Sequence, residues 1–171
     1  MITECRTLQV SGIADESIVD GPGIRFVVFV QGCPHNCIGC HNPKTHNFNG
    51  GKVYDIDRFE AQLKSNPLLQ GVTWSGGEPL TQVKELIPFS KLTKSLNMDI
   101  MVYTGYTFEY ILSRIASNND WKELFTYIDY VMDGKFILSQ RFHNLAFRGS
   151  ANQRFIDVKE SFRKNKIVTI D

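Results

Sequence analysis

The chain has 171 residues, of which 42% are hydrophobic and 22% charged, and a net charge of +1. That length suits one domain, residues 1–171, able to bury a core without disulfide staples, and the composition excludes disordered and fibrous classes. Near-neutral charge argues against nucleic acid or an anionic membrane as a partner, and the longest apolar run, Phe26–Val30, falls far short of the ~20 residues that span a bilayer.

The first residues, MITECRTLQVSG, lack the apolar stretch of a secretory signal, which implies a cytoplasmic chain with reduced thiols. Residues 24–30 are apolar, β-branched and aromatic apart from Arg25, the pattern of a buried strand. Residues 56–65 read as a helix with Asp55 or Asp57 near its start, and 71–75 as a second strand. A helix follows from Pro79 to about Ser95, with Pro88 expected to kink or break it. A third strand covers 99–104, a helix capped by Thr107 covers 107–117, a short helix 121–125, and a fourth strand 128–132. Residues 153–158 and 166–170 are weaker strand candidates, and the basic run Lys159, Arg163, Lys164 and Lys166 reads as a solvated helix face.

Strands alternating with helices imply an α/β fold with a mostly parallel sheet. At ~30 residues per strand–helix unit, the chain holds about five or six strands, too few for a complete eight-unit barrel. The expected architecture is an open partial (βα) barrel, with its chemistry at the carboxyl ends of the strands. Cys33, Gly76-Gly77-Glu78, Thr104 and Asp133 all fall at such ends, the cysteines following the first barrel strand.

Three of the four cysteines lie within eight residues, as Cys33-Pro-His-Asn-Cys37-Ile-Gly-Cys40, and Cys5 stands apart as an ordinary thiol. In a reducing compartment such a cluster suggests a metal or redox site. Three thiolates suit an iron–sulfur cluster with one iron left open, a Cys3His zinc site completed by His35, His41 or His46, or a redox disulfide. The turn Ser75-Gly76-Gly77-Glu78-Pro79 lets backbone approach a ligand and sets a carboxylate beside exposed carbonyls, which suits a ligand ammonium group.

Together, the C-x3-C-x2-C loop and the Gly-Gly-Glu-Pro turn resemble the radical S-adenosylmethionine superfamily. Asp20-Gly-Pro-Gly-Ile-Arg25, Phe29, Gly32-Cys33 and Asn42-Pro43 narrow the likeness to activases of glycyl-radical enzymes. The short length and the tail Arg148-Gly-Ser-Ala-Asn-Gln-Arg154 resemble the branch acting on anaerobic ribonucleoside-triphosphate reductase. The likeness covers residues 8–158. It implies that Cys33, Cys37 and Cys40 ligate one [4Fe–4S] cluster, whose fourth iron is chelated by S-adenosylmethionine. An electron from a low-potential donor then cleaves the sulfonium, and the 5′-deoxyadenosyl radical takes hydrogen from a glycine of the partner reductase.

By position, the resemblance implies that Gly76, Gly77 and Glu78 hold the methionine ammonium group. Gly39, Cys40 and His41 pass the adenine, with His41 a candidate to stack on it. Asp133 and Lys135 order the carboxylate, directly or through a monovalent cation. Arg25 interrupts an apolar strand and needs a carboxylate, for which Asp20 or Glu78 is available. His35 reads as an exposed loop residue, His143 as needing no special role, and residues 148–154 as a polar turn. Two other readings are a radical enzyme acting on a small molecule and a zinc-stabilised binding module.

Overall fold

The computed structural model describes residues 6–141 and 146–170, so Cys5 and His143 lie outside the described residues. The strands are β1 (Thr7–Ser17), β2 (Arg25–Val30), β3 (Lys52–Asp55), β4 (Gly71–Gly76), β5 (Asp99–Tyr103), β6 (Tyr130–Asp133) and β7 (Arg154–Asp157). The helices are α1 (Ile56–Ser65), α2 (Val83–Ser95), α3 (Phe108–Ser117), α4 (Asn119–Tyr127) and α5 (Val158–Lys164). Among the described residues no helix is long and apolar enough to cross a membrane.

The seven strands form one sheet in the order β3-β1-β2-β4-β5-β6-β7. β2, β4, β5 and β6 pair in parallel, whereas the β1–β2, β1–β3 and β6–β7 pairings are antiparallel. The fold is therefore α/β, as expected. The expected five or six strands become seven, and the sheet is mixed rather than mostly parallel. The partial-barrel curvature stays an expectation from the number of strand–helix units.

Both unexpected strands lie toward one edge. β3 buries only Tyr54 of its four residues, and β1 buries only Leu8 and Val10 of eleven, so neither carries the apolar signal of a central strand. Residues 166–170 form no strand. They run beside β7 through an isolated bridge at Thr169 and bonds from Asp157 N–H to the Val168 carbonyl and from Ile170 N–H to the Phe155 carbonyl. Pro88 does not break α2, which passes through it; a 3-10 turn, Pro79–Thr81, precedes that helix. Asp55 caps α1 by accepting from the Arg58 N–H, and Thr107 caps α3 by accepting from the Tyr110 N–H.

Alternate residues of the parallel strands, Phe26, Val28, Val72, Trp74, Ile100, Val102 and Val131, pack with Phe59, Leu63, Leu86, Phe89, Ile111 and Leu124 from the helices. A smaller cluster of Met101, Met132 and Phe155 lies apart from that core. Arg25 is fully buried. It donates from Nε to Thr73 Oγ1 at 2.6 Å and from its two terminal nitrogens to the Pro22 and Val72 carbonyls. Its carboxylate partner is Asp99 at 2.7 Å, which replaces the expected Asp20 or Glu78. Asp20 is tied in through its carbonyl, which accepts from Thr73 Oγ1 at 2.8 Å. The Asp20–Arg25 segment thus braces the start of β2, and with it the loop that β2 feeds.

Asp129 joins β5 to the start of β6. Its buried carboxylate accepts from the Ile100 N–H at 2.8 Å and from Lys94 at 2.8 Å, and also pairs with Lys159. Burial alone would push its carboxyl up; the bonds from Lys159, Lys94 and Ile100 together outweigh this and hold it below the usual carboxylate range. A carboxyl depressed in the folded state contributes stability above its unfolded pKa of ~3.9, and that contribution is lost as pH falls through the folded value. Asp129→Asn is expected to cost about 1–2 kcal/mol at pH 7 by urea unfolding, with the penalty shrinking as the pH drops below ~4. A penalty independent of pH contradicts this assignment.

Candidate metal centre

The parallel strands deliver their carboxyl ends to one side of the sheet, where loops gather around a cavity. Cys33, His35, Cys37, Cys40 and His41 reach it from the loop after β2. Gly76 and Gly77 line it after β4, Thr104 and Gly105 after β5, and Gly134, Lys135 and Phe136 after β6. A second cavity opens from the first and shares His41, Asn42, Ser75, Tyr103, Phe136 and Gln153 with it. The expectation that the chemistry-bearing residues meet at the strand ends holds for most of them.

The thiols of Cys33, Cys37 and Cys40 are free and half-buried. Burial pushes the Cys33 thiol up; the His35 backbone N–H pulls it down, and Glu78, Cys37 and Cys40 add to the rise. Among the described residues no group of three or more His, Cys, Asp or Glu converges as a single ion requires. A zinc ion draws its ligands to within ~2.0–2.3 Å of one point. Three free thiols lining one cavity are a donor set of the chemical type that iron–sulfur clusters take.

Gly39 sits between two of these cysteines with φ +74°, and a Cβ there would meet a Leu138 methyl at 3.0 Å. The backbone conformation favours glycine at this point of the loop, and a side chain would also have to displace the Leu138 methyls slightly. His41 lies against Phe136, with ring centroids 4.9 Å apart, and this pair lines both cavities. Phe136 was missed in the sequence; the signal available was an aromatic residue directly after the Asp-Gly-Lys turn.

The Gly-Gly turn is joined to the cysteine loop by backbone. The Gly77 N–H donates to the Val30 carbonyl at 2.9 Å and the Glu78 N–H to the Gly32 carbonyl at 2.8 Å. Gly76 and Gly77 line the cavity, whereas the Glu78 side chain is fully buried behind it. His35 is not the exposed loop residue expected. Its side chain is 7% exposed, and its Nε2 lies 2.6 Å from Glu78 Oε2.

Asp133 is turned away from the cysteines. Its carboxylate accepts from Arg154 Nε at 3.0 Å, from Arg154 Nη2, and from the Phe108 N–H at 2.8 Å at the start of α3. It lines a neighbouring cavity with Glu109, Asn152 and Arg154, while Lys135 faces both that cavity and the one holding the thiols. Arg154 also grips both oxygens of Glu109, and this bond holds the Glu109 carboxyl below its usual range. The segment 148–154 is more than a solvated turn. Gln153 accepts from the Gly149 N–H at 2.8 Å and donates to the Gly134 carbonyl at 2.9 Å, and Ser150 is fully buried. The basic run is a solvated helix face only in part: Arg163 and Lys164 pair with Glu160 on α5, whereas Lys159 pairs with the buried Asp129 and Lys166 lies beyond the helix end.

A family model described as a 4Fe-4S single cluster domain matches residues 19–156. The chain is 39% identical over 145 residues to the anaerobic ribonucleoside-triphosphate reductase-activating protein of Haemophilus influenzae, covering 80% of this chain and 89% of the relative. The protein of that name from Enterobacteria phage T4 is 35% identical over 143 residues, covering 80% and 85% respectively. That from Escherichia coli K12 is 32% identical over 145 residues, covering 80% and 90%.

Proposed function

The chain belongs to the family of anaerobic ribonucleoside-triphosphate reductase-activating proteins, with a 4Fe-4S domain, and from that premise we propose that it installs a glycyl radical on that reductase. The observation that carries this reading is the meeting of three free thiols and the Gly76-Gly77 turn in one cavity at the strand ends. When bound, the [4Fe–4S] cluster and S-adenosylmethionine supply the chemistry: one electron splits the sulfonium into methionine and a 5′-deoxyadenosyl radical, which takes a hydrogen atom from a reductase glycine.

The protein's own residues bind, orient and exclude water. Cys33, Cys37 and Cys40 would hold the cluster with three thiolates, one fewer than a cubane usually takes, which would leave a position open to S-adenosylmethionine. The Gly76-Gly77-Glu78 turn cradles the ammonium group, and Lys135 brings a positive charge to the carboxylate. His41 and Phe136 offer an aromatic wall for adenine beside Gly39 and Cys40. Asp133 contributes from outside the cavity by holding Arg154 and the start of α3, which fixes Gly134 and Lys135 at the rim. The Arg154 guanidinium is shared between Asp133 and Glu109, so this trio keeps one net negative charge, for which Lys135 or a monovalent cation is available. The electron comes from a low-potential donor, and the setting is the anaerobic cytoplasm.

The test is to reconstitute the protein anaerobically, reduce it, and add S-adenosylmethionine and the reductase. A glycyl radical detected by electron paramagnetic resonance is expected. Cofactor cleavage with no radical on the reductase would favour a small-molecule substrate, and colourless protein holding one zinc would overturn the reading.

Ile38 stands 81% exposed in the cysteine loop. It lines an apolar groove with Phe136, Ile137 and Leu138, and Phe136 also faces the thiols. In this reading the reductase glycine enters beside this rim. Ile38→Asp is therefore expected to keep cofactor cleavage within about twofold while lowering radical yield on the reductase by about tenfold or more. Equal loss of both activities would contradict a docking role.

A further inference from the structure

Glu78 is crowded. Its Oε1 accepts from the Leu80 N–H at 3.0 Å, and its Oε2 accepts from the Gly105 N–H at 2.8 Å. Thr104 Oγ1 lies 2.9 Å from both oxygens. His35 Nε2 donates to Oε2 at 2.6 Å. An ionised carboxylate offers roughly four lone-pair sites, and these four donors occupy them. The carboxylate is fully buried and is absent from the cavity lining that Gly76 and Gly77 form.

The donors come from three places. Leu80 belongs to the same turn, Thr104 and Gly105 follow β5, and His35 belongs to the cysteine loop, 43 residues from Glu78 in sequence. The His35 ring is held further by the edge of Tyr106, with centroids 4.6 Å apart, and it fills the space that a Cβ on Gly105 would need.

We propose that His35 and Glu78 are a positioning pair, in which the His35 Nε2–Glu78 bond fixes the cysteine loop against the Gly76-Gly77 turn. This rests on the functional reading above and refines the role of Glu78 within it. The pair touches no reacting atom; it sets the separation between the cysteine-held group and the cradle for the cofactor's amino acid end. Side chains placed behind ligands in this way typically govern affinity by about 10–100-fold.

The test compares the reconstituted wild type with His35→Ala and His35→Gln. Three readouts are taken: iron content, cluster absorption and the Kd for labelled S-adenosylmethionine by equilibrium dialysis. All three proteins are expected to take up iron alike. His35→Ala is expected to weaken cofactor binding by about tenfold or more, and His35→Gln, whose amide nitrogen can reach the place of Nε2, to return to within about threefold of wild type. Wild-type affinity in His35→Ala overturns the proposal, as does a His35→Gln that binds no better than alanine. If the alanine variant does not fold, His35→Gln is compared with His35→Asn, whose shorter side chain cannot reach Glu78. Tighter binding by Gln supports the pair, and equal binding overturns it. A wild type that takes up the cluster but binds no S-adenosylmethionine overturns the functional reading itself.

Discussion

Replacing any one of Cys33, Cys37 or Cys40 by alanine is expected to abolish S-adenosylmethionine cleavage. Iron in the reconstituted protein should fall from about four per chain to well under one. The three thiols are free, they line one cavity, and the loop supplies no spare ligand of the same kind. Removing one leaves two cysteines on a cluster already short of its usual four, so the effect on activity has no graded form. Cys5→Ala, remote in sequence from this loop, is the control and should retain iron and cleavage. Secondary structure by circular dichroism should be unchanged in all four variants, because the sheet and its core are complete without the loop. Retention of cleavage in a Cys37→Ala protein would contradict the assignment of that ligand.

Gly77→Ala is expected to be the most damaging single change away from the thiols. A Cβ there would sit 2.3 Å from the Gly32 carbonyl oxygen and 3.1 Å from the Val30 carbonyl oxygen. Both obstacles are backbone, and both carbonyls accept bonds from this same turn, Val30 from Gly77 and Gly32 from Glu78. Relief of the clash has to push Gly32, and Cys33 beside it, away from the turn. Forcing a methyl into a packed position of this kind costs about 1–3 kcal/mol. The lost spacing adds a separate functional penalty, expected as about a hundredfold weaker S-adenosylmethionine binding. Urea unfolding measures the first effect and equilibrium dialysis the second. Because the neighbouring Gly76 has φ +94°, Gly76→Ala should lose stability through backbone strain as well as through its 2.6 Å approach to Phe29 and Val30. A Gly77→Ala protein of wild-type stability and affinity would show that the turn and the cysteine loop are not rigidly joined.

The central parallel strands were legible because burial on both faces writes itself as an uninterrupted apolar run, as in Phe26–Val30. The cysteine loop and the glycine turn were legible because ligand and close-approach chemistry admit few residue types. β1 and β3 were not, since edge strands bury few side chains and carry little periodic signal. The role of Arg25 could be stated in outline, a buried guanidinium needing a carboxylate, but its partner Asp99 is a product of β2–β4–β5 register. His35 and Asp133 both have partners that local sequence does not announce. The first looked exposed and is bonded to Glu78; the second, expected near the cofactor carboxylate, is held by Arg154. Each pairing joins segments that are adjacent only once the strands have been ordered, and local sequence carries no mark of it.

The proposed chemistry depends on three cysteines holding a cubane with one iron free to bind S-adenosylmethionine. Its most direct measurement is the electron paramagnetic resonance spectrum of the reduced, reconstituted wild-type protein before and after saturating S-adenosylmethionine. Binding at the free iron predicts a clear change in the g values and shape of the cluster signal. A spectrum that the cofactor leaves unaltered, in protein holding a full complement of iron, would contradict it.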